Sequence, residues 1–157
     1  MRYIAVLLLL LACASCGGSL SSDERKRLQQ ESRKQEIKRV TEAEIAEAAL
    51  NKGRTVTEVA KEFRDDISKL DSLGRARGAK IRWRVPGASN ALDVEQQIID
   101  AYVMNPTADL PDNVQNLGSD SILYSRPEVS VLPDGAVAVE GVWSVRLSRK
   151  DLILEME

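Results

Sequence analysis

From residue 121 to residue 147 the chain reads SILYSRPEVSVLPDGAVAVEGVWSVRL. Apolar and polar residues alternate through most of this stretch, the period-two signature of half-buried strands. Ser121 to Ser125 reads as a short strand that Pro127 stops, and Val129 and Val131 resume the alternation. Pro133-Asp134-Gly135 is a turn, because proline presets its own φ and glycine accepts a positive one. Val137, Val139, Trp143, Val145 and Leu147 continue on the far side, with Gly141 a candidate bulge. An antiparallel sheet therefore forms the C-terminal part.

Working upstream, Lys80-Ile81-Arg82-Trp83-Arg84-Val85 alternates in the same way, with Ile81, Trp83 and Val85 on one face and Pro86-Gly87 as its end. Between these strands, Asn90 is placed to cap a helix from about Ala91 to Met104 that buries Ile98, Ile99, Tyr102 and Val103. Asn105-Pro106 and Leu110-Pro111-Asp112 make a loop. Before Gly78 the period changes to helical. Val56, Val59, Ala60, Phe63, Ile67 and Leu70 form one apolar face through to Gly74. Gly53 reads as a helix stop, and Thr55-Val56-Thr57-Glu58 as a capping-box restart. Earlier still, Asp23 to Glu36 is nearly all charged or amide, with Ser22 as its cap and Leu28 its only strong apolar residue. Ile37, Val40, Ile45 and Leu50 mark where that helix meets a core. At the other end, Ser148 and Asp151 form an S-x-x-D cap before Leu152-Ile153-Leu154. Helices first and an antiparallel sheet afterwards give an α+β domain, a long N-terminal helix and a helical hairpin packed on the sheet.

Composition narrows the chemistry. The 157 residues include no histidine, which removes imidazole metal ligands, Ser/His and Cys/His nucleophile pairs, and the axial ligand a c-type haem needs. Lys and Arg number 22 against 24 Asp and Glu, and aromatic residues are few, so there is no basic, aromatic-laced footprint for nucleic acid. Asp65 with Asp66, and Asp109 with Asp112, are the nearest approach to paired catalytic carboxylates. Adjacent acids point apart on a helix and the second pair lies in a loop, so both read as solvated surface. The expectation is a protein that is not an enzyme, with no catalytic residue, no metal and no cofactor.

The first residues carry a different signal. Arg2 precedes the apolar run Ile4 to Leu11, too short to span a bilayer, and Ala12-Cys13-Ala14-Ser15-Cys16 follows. The pattern resembles the lipobox of bacterial lipoproteins, in which the signal is removed and the new N-terminal cysteine carries lipid. Leu10-Leu11-Ala12-Cys13 has the preferred Leu and small residue but leaves a short signal. Ala14-Ser15-Cys16-Gly17 gives a more ordinary length with Cys13 in the Leu position, and favours Cys16. A plain secretory signal and a structural disulfide are the alternative readings. The Cys13-x-x-Cys16 spacing is also that of redox and haem-attachment motifs, but Gly17 follows where haem attachment needs His. The expected organisation is a signal peptide over 1–15, a small polar tether over 16–22, a charged helical stalk over 23–41 and a folded domain over 42–157. The resemblance implies a protein in the bacterial cell envelope, lipid-anchored to a membrane and facing outside the cytoplasm.

From about Glu42 to Glu155 the order of motifs resembles the PAS-like sensor domain family that binds c-type haem. Ala48-Ala49-Leu50-Asn51-Lys52-Gly53 with Val59-Ala60 is similar to the family's helix, glycine and second helix. Ile81-Arg82-Trp83-Arg84-Val85-Pro86, then Asn90 and Glu95, is similar to its strand, Arg-Asn-Pro motif, Asn and later Glu. Leu123-Tyr124-Ser125-Arg126-Pro127 is similar to its Tyr-x-x-Pro strand. Gly141-Val142-Trp143-Ser144-Val145 with Ser148 to Ile153 is similar to its Gly-Met-Trp-Ser strand and Ser-Lys-Lys segment. Where the family carries Cys-x-x-Cys-His and a long haem loop, this chain has only Val129 to Glu140, and Val85 stands in place of the motif's Asn. Covalent haem is therefore not implied.

What the resemblance implies is a PAS-like sheet serving as a binding or sensory module without its haem. A small molecule is expected over Trp83 and Trp143, with Arg84 and Tyr124 as further ligand-binding candidates. The alternative is an interaction or scaffold lipoprotein that meets a protein partner through the charged helix, which has too few apolar residues for a self-sufficient coiled coil. Arg84, Trp143 and Tyr124 each have a plain structural role open to them: a strand-edge charge, a core aromatic and a sheet residue.

Overall fold

The computed structural model describes residues 21–34, 40–89 and 91–156. The expected signal, both cysteines, most of the tether, Ile37 and Asn90 lie outside the described residues. The chain divides between Arg39 and Val40 into two units.

In the first unit, α1 spans Ser22–Lys34. Its cap is Ser21, one residue earlier than expected: Ser21 Oγ accepts the Glu24 N–H, and the Glu24 carboxylate accepts the Ser21 N–H at 2.9 Å. Side chains from Ser21 to Arg27 are exposed, as their polarity requires, and the apolar Leu28 is exposed with them.

The second unit is α+β, as expected. Its first helix, α2, is Glu42–Ala60, opened by a capping box between Thr41 and Glu44. That cap is why the helical signal around Ile45 belongs to a fresh helix and not to an extension of the charged one. Ile45, Ala49, Gly53, Val56, Thr57 and Ala60 recur on one face and are buried. Gly53 does not stop the helix. It lies inside α2 because a Cβ there would sit 2.3 Å from Cγ of Tyr124, so the packing demands a residue without one. The break comes later, in a 3-10 turn at Lys61–Phe63, after which Asp66 accepts the Lys69 N–H and starts α3, Ile67–Arg77. The apolar stripe is accordingly interrupted, and Ile67 is exposed at the head of α3. Gly78 ends α3 with φ 61°, a left-handed cap.

Strand β1 is Ala79–Arg84, leaving Val85 outside it and exposed. Helix α4 is Asp93–Met104, with Ile98, Ile99 and Tyr102 buried and Val103 exposed. The remaining strands are β2 Asn113–Leu117, β3 Ser121–Val131 and β4 Val137–Ser148, and the sheet order is β1-β4-β3-β2, antiparallel throughout. Pro127 does not stop β3. Strand β2 pairs only as far as Ser125, so β3 is an edge strand at Pro127 and tolerates the missing N–H. Glu128 faces Gly141 while Val129 faces Val139, which makes Glu140 the extra residue of a bulge next to the expected glycine. The turn falls where proline and glycine put it: Gly135, at φ 84°, donates to the Leu132 carbonyl. The last helix, α5, is Arg149–Glu155, capped by Ser148 Oγ on the Asp151 N–H.

Alternation along the strands gives the sheet two different faces. Ile81, Ile122, Tyr124, Trp143, Val145 and Leu147 meet Ile45, Ala49, Val56, Ala60, Leu70 and Leu152 in the main core. On the other face Leu123 and Val142 meet Ile98, Ile99 and Tyr102 of α4 in a smaller cluster, with Val94, Leu110, Leu117 and Val139 packed around it.

Candidate functional site

Three of the four expected ligand residues lie on the main-core face. Trp83 and Trp143 are directly opposite each other on β1 and β4, their ring centroids 5.0 Å apart and tilted by 53°. Trp143 is fully buried and donates from Nε1 to Glu128 Oε1 at 2.9 Å. The Arg64 guanidinium lies 5.2 Å from the Trp83 ring centroid and reaches Glu128 and Glu140, each at 3.7 Å. A Cβ on Gly141 would fall 2.3 Å from Trp83 Cζ2, so the bulge glycine makes room for that ring. Tyr124 fills the gap above Gly53. Burial, and then the neighbouring Asp112 carboxylate, push its phenol well above the ordinary range.

Arg84 is on the other face, one residue along β1 from Trp83. There its guanidinium lies 3.3 Å from the carboxylate of Glu95. Glu95 stands in the first turn of α4 and is only 5% exposed. One of its oxygens accepts the Ser144 hydroxyl at 2.6 Å and the other accepts the Leu92 N–H at 2.9 Å. Burial alone would raise its pKa. The Ser144 and Leu92 hydrogen bonds, with Arg84 and Arg146, outweigh burial and hold it below the usual carboxylate value. Arg146 follows Ser144 on the same face of β4, and its Nε is buried with no hydrogen-bond partner among the described residues. Glu95 is thus paired with the Arg84 guanidinium and feels the positive charge of Arg146.

On the opposite flank of α4 is a small cleft of about 160 Å³, lined by Gln97, Ile98, Ala101, Tyr102, Asn113 and Gln115. Asn113 Oδ1 is another buried polar atom with no hydrogen bond among the described residues. Tyr102 donates its hydroxyl to the Pro111 carbonyl at 2.9 Å, and burial, with Asp112 beside it, pushes its pKa up to about 12.

The resemblance singled out Arg84 and Glu95, and the fold brings these two together. Ser144 and Arg146 are not singled out as ligand residues by their motifs. Their signal is positional: Val142, Ser144 and Arg146 alternate with Trp143, Val145 and Leu147, and so share the face of β4 opposite the main core. Chemically the cluster is a set of donors, guanidinium and hydroxyl, around a buried acceptor. Among the described residues no group of His, Cys, Asp or Glu could hold a metal ion, and no helix is long and apolar enough to cross a membrane. No protein-family model, no curated protein and no solved structure matches the chain.

Proposed function

We propose that the protein is a lipid-anchored extracytoplasmic binding or sensory module, PAS-like and without covalent haem, whose small-molecule ligand is held between α4 and the sheet. The observation that carries this reading is the Arg84–Glu95–Ser144–Arg146 cluster. Buried charges cost stability unless every donor is met, and here the Arg146 Nε is not. A ligand with acceptor atoms would complete the set. Of the four ligand residues expected from the sequence, only Arg84 reaches this face.

Native mass spectrometry of the protein purified from its own membrane tests the binding function. The expected result is an additional small mass that is lost on Arg146→Met. An empty wild-type mass overturns it. Anchoring is tested separately, since replacing both Cys13 and Cys16 with Ser releases the protein from the membrane if either carries lipid, and unchanged association refutes the anchor.

The second reading, an interaction lipoprotein, is favoured by one observation. From Ser22 to Leu28, helix α1 exposes its charged residues and Leu28 alike, leaving a polar surface available to a partner. Crosslinking in cells separates the two, because a partner lost on deleting residues 23–39 supports the scaffold.

A further inference from the structure

We propose that the protein has a second binding site, on the opposite side of the sheet from α4, for a small zwitterion bearing both a carboxylate and an ammonium group, of the α-amino-acid type. The site is a polar cleft of about 370 Å³ where α2, the loop before β2 and the exposed half of β3 meet, and Arg54, Asp109, Asp112 and Arg126 line it. Its volume is within the range of small-molecule sites.

The charges in this cleft are not all used. Arg54 reaches Asp112 Oδ2 through Nε at 2.6 Å, and its two terminal nitrogens hydrogen-bond to no other described residue. Its side chain is 54% exposed, while that of Asp112 is 11% exposed, so Asp112 anchors one edge of the guanidinium and leaves the forked edge available. Arg126 is already committed, with NH1 on Glu58 at 2.5 Å and Nε 3.9 Å from Asp112. Asp109 lines the same cleft and makes no hydrogen bond or ion pair with any described residue. The cleft therefore offers one unspent planar fork, the geometry that grips a carboxylate in two hydrogen bonds, and one unspent carboxylate that accepts from an ammonium. A plain anion would meet Asp109 and Asp112, and a plain cation would meet Arg54 and Arg126. A molecule carrying both charges satisfies both ends.

The test is a thermal-shift series on the full chain in detergent with each common L-α-amino acid in turn. The amide and the N-acetyl derivative of any that bind follow, since they lack the carboxylate and the ammonium respectively. At least one amino acid is expected to raise the melting temperature, and each derivative to bind about tenfold or more weakly. Arg54→Met and Asp109→Asn should each remove the shift. Asp109→Asn breaks no hydrogen bond or ion pair with a described residue, so it decides the matter if Arg54→Met disturbs folding. The proposal is overturned if no amino acid shifts the transition, if the N-acetyl derivative binds as tightly as its parent, or if Asp109→Asn leaves the shift unchanged. Loss of ligand binding on Arg146→Met leaves this site untouched.

Discussion

The ring of Tyr124 occupies the space that a side chain on Gly53 would need. A Cβ at Gly53 would lie 2.3 Å from Cγ and 2.5 Å from Cδ1 of that ring, and Tyr124 is fully buried. A mid-helix glycine usually costs about 1 kcal/mol against alanine, so Gly53→Ala would be stabilising if propensity decided. Here it forces the ring from its seat, and overpacking of this kind costs about 1–3 kcal/mol. Urea unfolding should show Gly53→Ala to be less stable than wild type, and Tyr124→Leu should recover part of the loss in the double variant. A gain in stability for the single variant would refute the contact.

Gly141 makes the same provision for Trp83. A Cβ there would lie 2.3 Å from Trp83 Cζ2 and 2.7 Å from the Arg84 carbonyl oxygen, and the second neighbour is backbone that cannot rotate aside. Gly141→Ala is expected to lose about 2–3 kcal/mol and to change the tryptophan emission of the folded protein. Unaltered emission with unaltered stability would contradict it.

Glu95 makes acid stability a property of the α4 face. Its folded pKa lies below the ordinary 4.5, so the stability it contributes is present in full above that value and is lost as pH falls through the lower, folded value. Glu95→Gln should cost about 2 kcal/mol at neutral pH, where the ionised partner of Arg84 and Arg146 is removed. The unfolding free energies of variant and wild type should converge as the solution is acidified below about pH 4. Parallel curves across that window would show that the carboxylate is not held as the geometry has it.

Glu128 supplies the acceptor for the Trp143 Nε1–H, which is otherwise enclosed in the core. Glu128→Ala should destabilise by about 1–3 kcal/mol, and Glu128→Gln, which keeps an acceptor oxygen, by much less. Equal losses in the two variants would assign the effect to the neighbouring ion pairs with Lys61 and Arg64 instead.

The hairpin from Ser121 to Leu147 was legible because alternation and turn chemistry are local, and so were the Ser148 cap and the α+β class. Features decided by distant partners were not. Gly53 has the local signature of a helix end, and only Tyr124, far along the chain, explains why it lies mid-helix. Pro127 has the local signature of a strand end, and only the short reach of β2 explains its place in β3. Strand β2, Asn-Val-Gln-Asn-Leu, is mostly polar and pairs on one side only, so no hydrophobic pattern announced it. At the candidate site, Arg84 and Glu95 were named by motif order. The pairing of Glu95 with Ser144 and the neighbouring Arg146 depends on how α4 settles on β4.

Consecutive residues of β1 serve opposite sides of the sheet: Trp83 is packed beneath Arg64, and Arg84 is held under α4. The strand is thereby a lever one peptide long, with its fulcrum in the ladder to β4. A ligand that met the Arg84 guanidinium, as proposed, would sit one peptide bond from the backbone that carries the indole. Binding there is therefore expected to change the Trp83 emission, so that a label-free fluorescence titration would follow a site on the polar face from the apolar one.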